Sequence, residues 1–597
     1  MDLKLKSATI VDGTGKRAFE GSIGISGDRI TEIGEVSGEA EREIDCTGLT
    51  ATPGFIDSHS HGDQSLLWYP EAQNFVMQGV TTIVAGQCGM SPAPIGEQMP
   101  LPMILRGEIS EVFPHKYEPE NRLFSREVVN DWMKRRFGWT IDYRTMGEWF
   151  KEVERKGISI NILCNVGHGT CRYRVLGEDF DRPATSVEID RMKEYVTEGL
   201  EDGCVGMSVG LDYDPGYFAD ERELLELVGC IKRYGGIYNP HFRKNIRAKG
   251  VRAKAYNKAL GYVEVIEHTR RTGTPLHVSH LCPTYDIPMM SRDTPEILLE
   301  AVGKASMIPL EKALQEGLDI TFDTIMWPWP RRRVMPYLCS PLAPWIRELG
   351  NRDKLAEWLK VPDFREELKF ALKDPKILEK WLPISLFKTP RWAEEMLVTE
   401  SKIREYEGKY ISEIAQESKK DPFEVYLDVI ANDPDARGAT ELFFMPERIV
   451  REFLKHPLCS VSLDSHSIDN TYEEKNPPYS QAGGEMRQTF SGFPAFLETY
   501  VKNQKMFTIE EAVQKVCLPA KRWNALRDRG RIMRGAFADI VLMDFPKLHV
   551  QEDDLEPRLY PEGIEHVIVN GELVVFAGKH TGKRSGKVLR RTKSQTT

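Results

Sequence analysis

The chain has 597 residues, 41% of them hydrophobic and 28% charged, a balance that excludes disordered or fibrous character and exceeds what one hydrophobic core organises, so two domains are expected. The formal charge of −10 comes from interspersed acids and bases, which leaves no footprint for nucleic acid, and the basic stretch from Lys583 to Lys593 reads as a solvated terminus. Ten cysteines without a C-x-x-C pair, an N-terminus that alternates apolar and charged residues, and no run long enough for a bilayer point to a cytoplasmic protein with reduced thiols and no membrane partner.

In chain order, the first fifty residues read as short strands. Leu3 and Leu5 alternate, Ile23 and Ile25 alternate, and Gly27-Asp28 supplies a turn before Ile30 and Ile33. The far end reads the same way. Asp539–Met543 and His566–Val569 are apolar runs, and Asn570-Gly571 is a two-residue hairpin signal before Glu572–Phe576. Neither end makes a stable sheet alone, so residues 1–50 and 530–597 are expected to combine into one small β-sandwich domain.

Between them, over residues 51–529, eight short β-branched runs alternate with helical patterns, the arrangement of an α/β, TIM-like (β/α)8 barrel. The runs are Leu49–Ile56, Thr81–Ala85, Ile158–Leu163, Val205–Ser208, Ile237–Asn239, Leu276–Ser279, Ile320–Phe322 and Val461–Leu463. Val187–Leu200 illustrates the helices, with Val187, Ile189, Met192, Tyr195, Val196 and Leu200 at the spacing of one stripe. Two stretches interrupt the pattern. Residues 331–447 read as an inserted helical subdomain near the barrel mouth, and residues 99–150 as a smaller insertion.

The informative residues stand at the ends of the strand runs. In such a barrel the site forms at the C-terminal face, where chain positions remote in sequence converge. Run one ends in His59-Ser60-His61, run two in Gln87-Cys88-Gly89, run five in Pro240-His241, run six in Ser279-His280 and run eight in Leu463-Asp464. Imidazole, thiolate and carboxylate together form the donor set that suits zinc. Taken singly, a histidine is usually a surface or hydrogen-bonded core residue, and Cys88 or Asp464 a small hydrophobe or a turn residue. Their joint placement after successive strands is what points to a metal centre of His59, His61, Cys88, His241 and His280, with Asp464 as the proton-transfer group. Five nitrogen and sulfur donors exceed one tetrahedral zinc; two ions bridged at Cys88, or one tight site with a weaker neighbour, both remain open.

His168, in Gly167-His-Gly-Thr170, fits either a substrate-facing role or a structural loop position, and Asp323, ending run seven, either a support for the ligands or a cap. His115, His268, His277, His456, His466, His549, His566 and His580 have no comparable context and are assigned no chemistry.

Gly54-Phe-Ile-Asp-Ser-His-Ser-His61, Gly79-Val-Thr-Thr-Ile-Val-Ala-Gly-Gln-Cys-Gly-Met-Ser91, Gly210-Leu-Asp-Tyr-Asp-Pro-Gly216, His241 with Arg243, Ser279-His280 and the closing Tyr560–Gly571 segment resemble the D-aminoacylase, or N-acyl-D-amino-acid deacylase, branch of the amidohydrolases. The resemblance implies a distorted barrel with a β-sandwich from both termini. It also implies zinc held through Cys88, His241 and His280, a weaker position at His59 and His61, and Asp464 as catalytic acid and base. Two departures concern the substrate. Relatives carry a lysine soon after the histidine matching His280, where this chain reads Leu281-Cys-Pro-Thr-Tyr285, and a His-Pro-Arg segment after the aspartate, where this chain reads Ser465-His-Ser-Ile-Asp-Asn470. His168, Arg172, Tyr213, Arg243 and Arg487 are therefore the candidates for substrate contacts.

The expected activity is zinc-dependent hydrolysis of a carbon–nitrogen amide bond in a small molecule, an N-acyl-(D-)amino acid or similar N-acyl compound. Ring opening of a cyclic amide or imide, with Trp327-Pro-Trp-Pro330 as a flat wall, is the alternative enzyme reading. A catalytically silent binding or assembly module is a third, and homo-oligomer formation stays open.

Overall fold

The computed structural model describes residues 1–102, 123–248, 251–256, 258–284, 294–326, 331–335, 337–374, 387, 391–442, 446–470, 487–551 and 558–591. The expected wall at 327–330 lies outside them.

Eight parallel strand positions close the barrel in two arcs. Phe55–Asp57, Val80–Ala85 and Asn161–Cys164 pair in one; Val166–Gly167, Gly206–Gly210, Ile237–His241, Leu276–Val278, Ile320–Ile325 and Cys459–Ser462 pair in the other. The third strand is thus split at Asn165. Its side-chain amide donates to Ala85 O at 3.2 Å beside the backbone bond from Asn165 N to the same oxygen at 3.0 Å, and its side-chain oxygen accepts from Asn239 Nδ2 at 3.1 Å, tying the split to its neighbours. Between strands eight and one, side chains close the seam: Ser58 Oγ meets Ser460 Oγ at 2.9 Å, and Leu463 N donates to Asp57 Oδ1 at 3.1 Å. Backbone pairing resumes above, with Asp464 N to His59 O at 3.0 Å and His61 N to Ser465 O at 2.9 Å. The distortion that the resemblance implied therefore has two named places.

The lower end of the barrel is filled. Ile56, Val84, Leu163, Val205 and Ile237, from the first five strands, form one apolar cluster with Trp523 and Leu526, which arrive from beyond the last barrel helix. Trp523 is 1% exposed, and its ring meets that of His277 at 4.9 Å. Barrel helices follow the expected apolar periodicity, as in Ser186–Asp202, where Ile189, Met192, Val196 and Leu200 are buried and a Thr185/Glu188 capping box starts the helix. Val187, expected on that stripe, is 70% exposed because two residues before Ile189 put it roughly 160° around the helix, on the solvent face.

The run expected as one strand, Leu49–Ile56, serves two sheets. Thr50–Pro53 pairs with Leu3–Ile10 and Ile540–Met543 in the terminal sheet, and only Phe55–Asp57 enters the barrel. The terminal sheet has nine strands drawn from both chain ends, and it curls so that Leu3, Leu5, Ile23 and Ile25 share a core with Ile540, Leu542, Ile568 and Leu573. The Asn570-Gly571 hairpin is present, with φ of 50° and 84° at the two residues, the positive values such a turn requires.

Residues 331–442 hold a feature that helical periodicity did not reveal: strands Arg331–Met335, Met396–Glu400 and Arg437–Leu442 form an antiparallel sheet beside the expected helices. This insertion has its own core around Leu342, Leu355, Trp392, Tyr426 and Ile430. The smaller insertion pairs Gln98–Pro100 with Leu123–Ser125 ahead of helix Arg126–Phe137. The basic tail is not a loose terminus up to Arg591: Ile162 N donates to Lys587 O at 3.0 Å, and Leu589 N to Ile162 O at 2.7 Å. Among the described residues, no helix is long and apolar enough to cross a membrane.

Candidate metal centre

All six expected residues lie together at the C-terminal mouth. Cys88 Sγ is 3.4 Å from His59 Nε2, 3.5 Å from His241 Nδ1 and 3.4 Å from His280 Nε2. A single thiol proton cannot serve three imidazoles. Zinc bonds of about 2.3 Å to sulfur and about 2.0–2.1 Å to nitrogen, at a tetrahedral angle, set sulfur and nitrogen about 3.5–3.6 Å apart, so the donors are spaced as zinc requires. Three overlapping donor groups result: His59, His61 and Cys88; Cys88, His241 and His280; His59, His280 and Asp464. Asp464 Oδ1 lies 3.2 Å from His61 Nε2 and 3.6 Å from His59 Nε2, and its side chain keeps 27% exposure toward the mouth.

Local backbone geometry turns these side chains inward. Cys88, His280 and Asp464 have φ of 56°, 34° and 54°, left-handed values that L-residues adopt only where surroundings hold them. Each stands just beyond a barrel strand end.

The electrostatics follow from density of charge in a buried place. Burial alone would raise the Cys88 thiol, but the imidazoles of His59, His280 and His241 outweigh it and hold the thiol well below its usual range. Burial works against a charged His59, yet Cys88, Asp464 and Asp323 push its pKa up to about 9. Against the penalty of burial, His61, His59 and His280 keep the Asp464 carboxyl far below the ordinary carboxylate range.

Two histidines that had no chemistry assigned from sequence, His277 and His466, stand beside the ligands together with Asp323. Asp323 is fully buried; its Oδ1 accepts from His280 N at 3.0 Å and from Ser462 Oγ at 2.5 Å, while Oδ2 is 3.0 Å from His277 Nε2 and 3.9 Å from His59 Nδ1. It acts as the support it was expected to be if not a cap, and it gives His277, which had no chemistry assigned from sequence, the task of holding that carboxylate. His466 stands with its ring 5.6 Å from that of His61. The signal was available, because His466 follows Asp464 at the same two-residue interval that links His59 to His61.

The expected substrate contacts fare differently. Arg172 is fully buried, ion-paired with Glu223 and bonded to the carbonyls of Phe180 and Arg182, so its guanidinium does not face a ligand. His168 is likewise buried, with Nε2 2.7 Å from Glu223. Arg243 places Nε 3.1 Å from Glu264 and its terminal nitrogens on the carbonyls of Tyr217 and Ala219. Tyr213 lies at the site, but its hydroxyl donates to Cys88 O at 2.9 Å. Arg487 opens helix Arg487–Phe496, whose Thr489 hydroxyl is 3.2 Å from Ser465 Oγ, beside Asp464. The sequence displayed these cations without displaying the carboxylates that occupy two of them.

Comparison with known proteins extends the motif resemblance across the chain. The model of an amidohydrolase family matches residues 42–133. D-aminoacylase of Alcaligenes xylosoxydans xylosoxydans is 26% identical over 99% of this chain and 98% of its own length. A crystal structure of D-aminoacylase superposes with a TM-score of 0.66 at 24% identity, covering 99% of this chain and 100% of that one. N-acyl-D-glutamate deacylase from Bordetella bronchiseptica, complexed with zinc and a phosphonate mimic of the tetrahedral intermediate, gives a TM-score of 0.66 at 24% identity, with 99% of each chain covered.

Proposed function

We propose that this chain, similar along its whole length to D-aminoacylase, is a zinc-dependent amidohydrolase that removes the acyl group from N-acyl-D-amino acids or closely related N-acyl compounds by cleaving a non-peptide carbon–nitrogen bond. The observation that carries the reading is one thiolate met by three imidazoles at zinc-like spacings, with a partly open carboxylate beside them. Cys88, His241 and His280 would hold the tight position, and His59 and His61, sharing Cys88, a second one. Zinc bound there supplies Lewis acidity and lowers the pKa of water toward neutrality.

The chain's own residues supply the rest. Asp464 is ionised in this setting, and its side chain sets Oδ1 against His61 and His59 while remaining partly exposed, so it is placed to take the proton from the attacking water. The same carboxyl then returns that proton to the departing nitrogen, which would otherwise leave as an unstable anion. Asp323 fixes the His280 backbone and faces the remote nitrogen of His59, so the donors are aimed before any ligand arrives. Arg487 is the candidate for contact with the substrate. The site serves a small-molecule amide, and we place the enzyme in the cytoplasm.

Metal analysis of the purified protein, followed by hydrolysis assays on N-acyl-D-amino acids, N-acyl-L-amino acids and cyclic amides, tests this reading. Zinc-bearing protein that cleaves the D-series supports it; protein that hydrolyses only the cyclic amides refutes the substrate class. Asp464→Asn is expected to keep its metal and lose at least about 100-fold in turnover, measured against the wild type on the best substrate of that panel.

A further inference from the structure

We infer that the end of the fourth barrel strand and the loop after it, residues 208–216, form a clamp on the tight metal position, in which Tyr213 and Ser208 fix one peptide plane and Asp212 faces one imidazole. The inference rests on the metal reading above and goes beyond the ligands to what aims them.

Cys88 sits in a left-handed conformation, with φ of 56°, and a thiolate offered from such a backbone is only as well placed as the peptide that follows it. That peptide, joining Cys88 to Gly89, is held at both polar atoms. Tyr213 Oη donates to its oxygen, Cys88 O, at 2.9 Å, and its nitrogen, Gly89 N, donates to Ser208 Oγ at 2.9 Å. Two bonds at opposite edges of one peptide stop it from turning, and so restrain ψ of Cys88 and with it the direction of the Cα–Cβ bond that carries Sγ. Gly210 lets the loop come this close, since a Cβ there would lie 2.3 Å from Cys88 O. Tyr213 and Ser208 belong to the fourth strand and its loop, so the clamp ties the second strand's ligand to a rigid neighbour.

The same loop reaches His241. Leu211 N donates to His241 O at 2.9 Å, and the Tyr213 ring meets the imidazole edge-on at 5.0 Å. Asp212 Oδ2 lies 3.9 Å from His241 Nε2, the nitrogen opposite the one that faces Cys88, and Asp212 Oδ1 accepts from Lys244 N at 3.1 Å. A carboxylate on that side favours the tautomer with its proton on Nε2, which frees Nδ1 to face the metal position. With its proton committed to Cys88 O, the Tyr213 hydroxyl has no donor left for a substrate carboxylate, and we assign it as a positioning residue.

The test uses the full-length protein with cobalt(II) in place of zinc. The readouts are cobalt affinity and the intensity, per ion bound, of the thiolate-to-cobalt charge-transfer band, alongside circular dichroism and melting curves. Tyr213→Phe and Ser208→Ala, which release opposite ends of the same peptide, are each expected to stay folded, bind the first cobalt about tenfold more weakly, and show a weaker or shifted band. Asp212→Asn is expected to weaken binding while leaving the band of the bound ion in place. A merely structural role would lower the melting temperature without moving affinity or band. Folded Tyr213→Phe and Ser208→Ala proteins with wild-type affinity and band overturn the clamp, and if Tyr213→Phe does not fold, Ser208→Ala decides alone. The wild type is read first: if it takes up no cobalt with a thiolate band, the metal reading itself fails and the clamp falls with it.

Discussion

At the scale of single residues, the centre depends on side chains whose partners were only partly legible. His59 and His61 could be read because alternation along an extended segment puts both on one side. Cys88, His280 and Asp464 could be read because each follows a β-branched run, although their left-handed backbones could not. Asp323 was recognisable as a position without its partners, since the bonds to His277, His280 and Ser462 come from three separate chain segments. Its replacement by Ala would strand buried donors on all three. The expected result for Asp323→Ala is a 10- to 100-fold loss of metal affinity, by analogy with other outer partners of metal-bound histidines, measurable by chelator competition. His268 offers a different readout. It is buried, and burial, reinforced by Arg243 and Arg271, pushes its pKa down to about 4. The unfolded chain takes up this proton near pH 6.5 and the folded chain only near 4, so falling pH favours unfolding across that window. The loss approaches about 3 kcal/mol at its acid end. His268→Gln should flatten this part of the stability profile in urea titrations at a series of pH values.

At the scale of elements, periodicity located the strands and helices but not their allegiance. Leu49–Ile56 reads as one apolar run because both halves are buried, yet Thr50–Pro53 is a strand of the terminal sheet and Phe55–Asp57 of the barrel. No local signal marks the change, because burial looks alike in either sheet. In the larger insertion, helix formers dominate the sequence, and the three antiparallel strands are set by pairings tens of residues apart, such as Val334 with Ala439 and Leu397 with Ala439. Helix starts were more local. Thr185 accepts from Glu188 N while the Glu188 side chain accepts from Thr185 N, satisfying two donors at the head of Ser186–Asp202. Thr185→Ala is expected to cost about 1 kcal/mol, read as a lower denaturant midpoint with unchanged slope.

At the scale of the molecule, the C-terminal part of the terminal sheet is bound to the barrel by a buried polar junction. Arg529 pairs with Asp539 and donates to Asn570 Oδ1 at 2.8 Å; Asn570 Nδ2 donates to Asn161 Oδ1 at 2.8 Å on the third barrel strand. Lys587 N adds a bond to the same Asn161 oxygen at 3.1 Å, which is how the basic tail comes to be docked. Composition marks that tail as solvated because its charges do face water; what holds it is backbone, which composition does not report. Arg529→Met keeps the volume but leaves Asp539 buried without its cation, and should cost about 3–5 kcal/mol, seen as loss of the terminal sheet ahead of the barrel in thermal melts followed by hydrogen exchange.

The Trp523 stopper has a kinetic meaning. With its floor filled by that indole and the apolar side chains around it, the barrel is closed along its axis at that end and is not a corridor. Both fragments of a cleaved molecule therefore depart from the same end of the barrel that carries the metal ligands, the end at which the next molecule arrives.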